Sequence, residues 1–343
     1  MQAPRPTPAS RVGKTAIDDL RQTRQVHDMT IKRRHLLAST AVASVGVALC
    51  GATGPDHSTA SSRSMDMTLE DRRRWLASFS CNIEMWFKDL DFLDRITAAK
   101  EVGFDAIEIW NPQKKKLGGG LVSAKKIAER ARGEGMKVTS ISPGAPSLAD
   151  TNNLNAFIDW IDLAVELADL FDVHNFNLTG HKIVEGQSVQ EMLGTYTRAV
   201  EAALGKLEAA GKIATIEPYN PFDHPGHFIY GVEPALSICR AVDSPNLKIN
   251  WDFFHMQRTD GNLITHLEDG IHQVGYVQLA DSPDRFQPGT GEVAYGRVLN
   301  RLRDLGYKGY IGAECFPQNQ NAMVAASDIA ALAESVNLQP PTK

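Results

Sequence analysis

Eight short runs rich in β-branched and aromatic residues, separated by stretches of helical spacing, constrain this chain more than any other feature of its sequence. The runs are Ala77 to Asn82, Ala106 to Trp110, Lys137 to Ser142, Asp172 to Leu178, Ile213 to Glu217, Leu247 to Asp252, Gly275 to Leu279 and Tyr310 to Glu314. Runs of this length and composition predict buried strands. The clearest helix between them is Asn153 to Leu170, where Leu154, Phe157, Ile158, Ile161, Ala164, Val165 and Ala168 form one apolar face. Val232 to Val242 opens on Glu233-Pro234, a good first turn. Leu263, Ile264, Leu267 and Ile271 mark another face, and Gln320 to Val336 closes the series. "EVGFDAIEI" and "DLGYKGYIGAE" repeat one design of helix end, glycine, turn and strand, as a parallel β/α array requires. The pattern over residues 75–338 therefore predicts a single-domain (β/α)8 TIM barrel. A doubly wound open sheet is the alternative, but no G-x-G-x-x-G follows the first strand to recruit a dinucleotide. Gly118 to Gly120, after the solvated "QKKK" at 113–116, reads as a flexible βα loop.

The N-terminus differs in kind. "MTIKRRHLLASTAVASVGVALCGATG", residues 29–54, joins a basic cluster holding Arg33 and Arg34 to an uncharged, weakly apolar stretch. That layout predicts a twin-arginine export signal over residues 1–52, with Met29 as an alternative start and cleavage near Ala52. The Ala/Ser/Gly-rich segment is too weakly hydrophobic for a permanent span, so no membrane anchor is expected after cleavage. Residues 53–74 read as a linker. The expected location is the periplasm, or the cytoplasm if the signal does not function. Residues 1–52 carry eight of the 36 Lys/Arg and three of the 41 Asp/Glu, which leaves 28 basic and 38 acidic residues and a formal charge of −10. Such a balance offers nucleic acid no electrostatic footprint. Cys81, Cys239 and Cys315 remain, too sparse a set for a disulfide framework, although Cys81 and Cys315 would meet if their strands are adjacent.

Barrel active sites lie at the C-terminal ends of the strands. Here the fifth strand ends at Glu217, the sixth at Asp252 and the eighth at Glu314, and the seventh carries Gln278 near its end. Each carboxylate alone reads equally as a cap or turn residue. Their recurrence at one rim brings like charges together, a repulsion that a cation relieves. Oxygen-rich ligation without cysteine favours a hard divalent ion, Mg²⁺ or Mn²⁺ before Zn²⁺.

"IEPYNPFDHPGHFI", "NLKINWDFFHMQ", "GYVQLADSPDRFQPGTGEV" and "GYKGYIGAECFP" resemble successive signatures of hydroxypyruvate isomerases in the xylose-isomerase-like barrel superfamily, and "SFSCNIEMWFKDLDFLDRITAAKEVGFDAIEIW" is similar to that family's opening. The resemblance spans about residues 77–317. It implies Glu217, Asp252, Gln278 and Glu314 as metal ligands and substrate contacts from Asp223, His255 and Arg285. A glutamine at 278 is similar to the hydroxypyruvate isomerase branch, where ketose 3-epimerases have histidine. The Pro288 to Glu292 loop resembles the family's loop over the site, with Glu292 a weaker candidate. Departures surround the mouth: "SPGAPSLADTNN" and "FNLTGHK" replace longer or Gly-rich segments, and His227 stands for an aromatic.

The implied reaction is aldose-ketose isomerisation of hydroxypyruvate to tartronate semialdehyde through an enediolate. Glu217 and Glu314 would serve as ligands and as the acid/base pair, His255 would bond substrate oxygens or relay a proton, and Arg285 would hold the substrate carboxylate, with His181 and Lys182 as alternatives. His255 reads equally as a residue holding a ligand in place, and Arg285 as a surface ion pair. His174, His266 and His272 read as structural or exposed. The expected partner is a small molecule, with homo-oligomerisation open. The rivals are a sugar epimerase or isomerase with another substrate, and an exported sugar-acid-binding protein without catalysis.

Overall fold

The computed structural model describes residues 67–117 and 120–341. The export signal expected over residues 1–52, and the part of the expected linker before residue 67, lie outside the described residues. Eight strands close into a parallel barrel: β1 (Phe79–Asn82), β2 (Ala106–Trp110), β5 (Lys137–Ser142), β6 (Asn175–Leu178), β7 (Ile213–Ile216), β8 (Leu247–Asp252), β9 (Val274–Leu279) and β10 (Ile311–Ala313). Successive barrel strands are neighbours, and β10 pairs with β1 to leave no edge. The predicted strands are all present with ends shifted by a few residues. The fourth, β6, begins at Asn175 because Asp172 turns left-handed, at φ 54°, after the preceding helix. Glu217 and Glu314 each stand one residue past their strands, free of the ladder.

Two expectations are corrected. Leu69–Leu76, placed in the linker, forms helix α1, started by a capping box in which Thr68 and Asp71 bond each other's backbone. The buried Arg72 fastens it, donating from Nε to the Val102 carbonyl at 3.0 Å and from Nη1 to that of Met67 at 2.7 Å. Where a loop was expected, β3 (Lys115–Leu117) and β4 (Gly120–Val122) pair antiparallel, and Lys115 is drawn inward by an ion pair with Glu84.

The remaining helices are α2 (Phe92–Val102), α3 (Ala124–Gly133), α4 (Leu154–Leu170), α5 (Val189–Ala210), α6 (Val232–Val242), α7 (Phe253–Thr259), α8 (Leu263–Gly270), α9 (Tyr295–Asp304) and α10 (Ala322–Ser335). Between strands and helices lies the aliphatic core. Inside the barrel the period-two alternation brings polar groups instead: Thr139 Oγ1 on β5 lies 2.6 Å from Ser80 Oγ on β1 and 2.9 Å from Tyr276 Oη on β9. Barrels of this type usually fill that space with branched aliphatics. This polar shaft leads up to the site.

Candidate active site

Four carboxylates, an amide, an imidazole and a guanidinium converge at the C-terminal end of the shaft. Asp252 divides its oxygens between two tasks: Oδ1 accepts from Phe254 N at 2.8 Å and caps α7, while Oδ2 lies 3.5 Å from His255 Nε2 and 3.4 Å from Arg285 Nη2. Asp252 thus caps a helix with one oxygen and faces the mouth with the other. Glu217 accepts from Asn177 through one oxygen, and its other lies 3.5 Å from His255 Nε2. Glu314 accepts from Arg285 Nη2 at 2.6 Å and, on its second oxygen, from Gln278 Nε2. Gln278 Nε2 also reaches Glu108 Oε1 at 3.0 Å, and its Oε1 accepts from Asn250 at 2.6 Å. Glu108, on β2, is further held by Asn82 Nδ2 at 2.7 Å. Gly312 makes room for this group, since a Cβ there would collide with Glu108 Oε2 and come within 2.9 Å of Gln278 Cγ.

Arg285 arrives on a loop that Asp281 stitches. The buried Asp281 carboxylate accepts from the backbone N–H of Ser282 at 3.0 Å, Gly289 at 2.8 Å and Val293 at 3.0 Å. Arg285 itself is left-handed, at φ 61°, with its N–H bonded to Asp281 O at 2.9 Å and its carbonyl to Phe316 N at 2.8 Å. Its guanidinium rests over the Phe254 ring, 4.8 Å from the centroid.

Burial governs the electrostatics. It raises the pKa of Glu217, drives that of Glu314 well up, and pushes Glu108 to about 7. Burial also works against the charge on Arg285, but Glu314, Asp252 and Glu217 outweigh it and its pKa rises. His255 is driven down to about 4 by burial, so its imidazole is neutral near pH 7. Four buried carboxyl groups face one guanidinium, so the site holds more acidic groups than cations to pair them. Ligand atoms of Glu217, Asp252 and His255 lie within 4.8 Å of one another, with Gln278 and Glu314 adjoining. This oxygen-dominated set fits a hard divalent cation.

The sequence-predicted residues divide accordingly. Glu217, Asp252, His255, Gln278, Arg285 and Glu314 come together. Asp223 is exposed at the rim, 3.7 Å from Arg258 Nε, and meets the site through Asn220, whose Nδ2 reaches Asp223 Oδ2 and His255 Nδ1, each at 2.7 Å. His181 is buried beside the mouth, its Nδ1 3.2 Å from His227 Nδ1 and its ring 4.5 Å from that of Tyr219, and burial pushes its pKa to about 3. Lys182 is exposed, its backbone bridged to His227. Glu292 is exposed and accepts from Ser282 Oγ at 3.1 Å. His174 and His272 are exposed and His266 half-buried. Cys81, opposite Ala313 on the neighbouring strand, and Cys315 are buried free thiols. Sequence reasoning missed Glu108, Asn177 and Asn220. For Glu108 a signal existed, a lone carboxylate at the inward position of "AIEIW".

Comparison with known proteins adds lineage. The profile of the xylose isomerase-like TIM barrel family matches residues 96–335. Hydroxypyruvate isomerase of Escherichia coli K12 is 30% identical over 251 residues, covering 70% of this chain and 93% of the relative. The 2-oxo-tetronate isomerase of Haemophilus influenzae is 28% identical over 255 residues, covering 71% and 95%. A crystal structure described as AP endonuclease, family 2, from Brucella melitensis superposes with TM-score 0.64 at 27% identity, covering 70% of this chain and 93% of that one. D-psicose 3-epimerase of Clostridium cellulolyticum H10, at TM-score 0.61 and 19% identity over 75% of this chain and 98% of that one, shares the fold. A family profile spanning most of the barrel and curated isomerases matched nearly end to end leave one conclusion: the chain belongs to the xylose isomerase-like TIM barrel family and is an isomerase.

Proposed function

We propose that the enzyme interconverts small hydroxy-keto acids, hydroxypyruvate and tartronate semialdehyde first among them, through an enediolate. The observation that carries this reading is the placement of Glu217 and Glu314, two buried carboxylates with raised pKa values, on strand ends separated by β8 and β9, with His255 and Arg285 between them. The names of the relatives, hydroxypyruvate isomerase and 2-oxo-tetronate isomerase, support the substrate class.

Proton transfer is the work of the two glutamates. One takes the proton from the carbon beside the carbonyl and the other returns a proton to the neighbouring carbon, and a carboxyl pKa raised toward the working pH suits both roles. Arg285 orients the substrate by pairing with its carboxylate in a fork geometry. His255 meets the substrate oxygens from the α7 side. Glu217, Asp252, Gln278 and Glu314 would hold a divalent ion, Mg²⁺ or Mn²⁺, which when bound supplies positive charge where enediolate charge develops. In the same reading residues 1–52 export the folded protein to the periplasm.

The test is proton NMR in D₂O of the chain from Thr53 onward with Mn²⁺, quenched and demetallated, against hydroxypyruvate, 2-oxo-tetronate and a panel of ketoses. Deuterium entry beside a carbonyl with hydroxypyruvate or 2-oxo-tetronate, lost in Glu217→Gln, is the expected result. Entry with ketoses alone would replace the acid by a sugar and make the enzyme an epimerase or sugar isomerase. No entry with any compound from folded, metal-loaded protein would sink the proposed reaction in favour of a different substrate class or binding without turnover.

A further inference from the structure

Asn220 stands three residues past the candidate acid/base Glu217 and is wholly buried. Its amide uses all four of its hydrogen-bonding positions. Oδ1 accepts from the backbone N–H of Phe222 and of Asp223, each at 3.0 Å. Backbone N–H groups only donate, so these two bonds fix which end of the amide is oxygen and settle an orientation that geometry alone often leaves open. Nδ2 is then a donor on both sides, to Asp223 Oδ2 and to His255 Nδ1, each at 2.7 Å. A ring nitrogen that accepts a hydrogen bond carries no proton, and in a neutral imidazole the proton then sits on the other nitrogen.

We infer that Asn220 is a positioning residue that locks His255 as its Nε2–H tautomer, so that His255 offers a proton to the ligand in the mouth and no lone pair to a metal. The surroundings of Nε2 agree. It faces Glu217 Oε1 and Asp252 Oδ2, each at 3.5 Å, two acceptors that attract an N–H and would repel a lone pair. Arg285 Nη2 is equally distant at 3.5 Å, and of its two N–H groups one meets Glu314 at 2.6 Å while the other also has Asp252 Oδ2 at 3.4 Å to donate to, so it does not need Nε2 as its acceptor. Of the groups that could surround an ion, His255 is thereby set apart from the carboxylates and Gln278 as the donor to a substrate oxygen. The role in turnover rests on the isomerase mechanism proposed above; the tautomer does not.

The experiment is ¹⁵N NMR of the full chain labelled at histidine, with two-bond ¹H–¹⁵N correlations reporting which ring nitrogen is protonated. His255→Gln identifies the signals by their loss. Spectra are taken with chelator and again with diamagnetic Mg²⁺. The expected pattern in both is a protonated Nε2 and a bare Nδ1 for His255. A bare Nε2 in the wild type, with or without Mg²⁺, would overturn the assignment. Asn220→Asp keeps an oxygen for the two backbone donors but puts an anion at Nδ1, and is expected to draw the proton there. If that variant folds and keeps the wild-type pattern, Asn220 is not what fixes the tautomer. In turnover, Asn220→Asp is expected to lower kcat on the order of 10²-fold while KM moves little, whereas a merely structural defect would reduce folded protein and leave the tautomer alone. No substrate enters the spectra, so failure of this assignment and failure of the proposed reaction give separate results.

Discussion

The two halves of the barrel mouth are built from opposite materials. The half made by β7 to β10 gathers Glu217, Asp252, Gln278 and Glu314 around Arg285. The half made by β1, β2, β5 and β6 is mostly neutral: Asn82 and Asn177 donate toward carboxylates, and Glu108 sits lower, held by Asn82 and Gln278. Neutral amides orient a carboxylate by hydrogen bonds without cancelling its charge. The difference teaches a division of labour, in which one half carries charge into the mouth and the other aims that charge.

The sharpest way to break this comparison is to remove one charge from each half. Glu314→Gln is expected to slow deuterium exchange by on the order of 10³-fold, the usual scale for losing a general acid or base. Glu108→Gln, which removes an equally buried carboxylate, is expected to cost about tenfold or less, because it reaches the mouth through Gln278. Equal losses would erase the division. A smaller effect, on stability, comes from Gly312→Ala. The added methyl would collide with Glu108 Oε2 and crowd Gln278, so the denaturation midpoint should fall by about 1–3 kcal/mol in stability. An unchanged midpoint would mean that the contact between the halves is loose.

The barrel was legible from sequence because period-two strands and period-3.6 helices alternate eight times with glycine punctuation between them. The C-terminal half of the site was legible for a related reason: its charged residues fall at strand ends, where charge is conspicuous. The amides were not. Asn82, Asn177 and Asn220 are indistinguishable in sequence from turn-formers, and their meaning appears only when Asn220 meets His255 across 35 positions. α1 was missed because its eight residues carry more charge than apolar surface. Its anchor, a buried arginine bonded to two carbonyls, leaves no periodic trace. The pairing of β3 with β4 hid behind a lysine run in which Lys115 turns inward to Glu84, 31 positions earlier.

Acid should act unequally on the two halves through His181. Burial depresses its folded pKa from 6.5 to about 3, so the unfolded chain binds the proton first. Its contribution to stability is complete above pH 6.5 and is lost progressively as pH falls toward 3. In chemical denaturation between pH 6 and 5, the wild type should lose about 1.4 kcal/mol per pH unit more than His181→Gln. Parallel curves would show that the imidazole stack beside Tyr219 admits the charged form.

The smallest expected effect concerns Lys182, which the sequence offered as a rival to Arg285 for the substrate carboxylate. Arg285 is held by a loop whose backbone donors converge on Asp281, and its guanidinium is largely enclosed among the acceptors it serves. Lys182 is exposed, and a solvated cation pays side-chain entropy for every contact and is screened by salt, which limits an exposed pair to about 1 kcal/mol. Lys182→Ala should therefore raise KM by no more than about threefold at physiological salt, and less as salt increases. Arg285→Ala should raise it far more, because removing one partner of a buried, charge-assisted contact leaves the other unpaired. If the order were reversed, the carboxylate would bind over the β6 side of the mouth, and the half assigned to aiming charge would instead be the half that captures substrate.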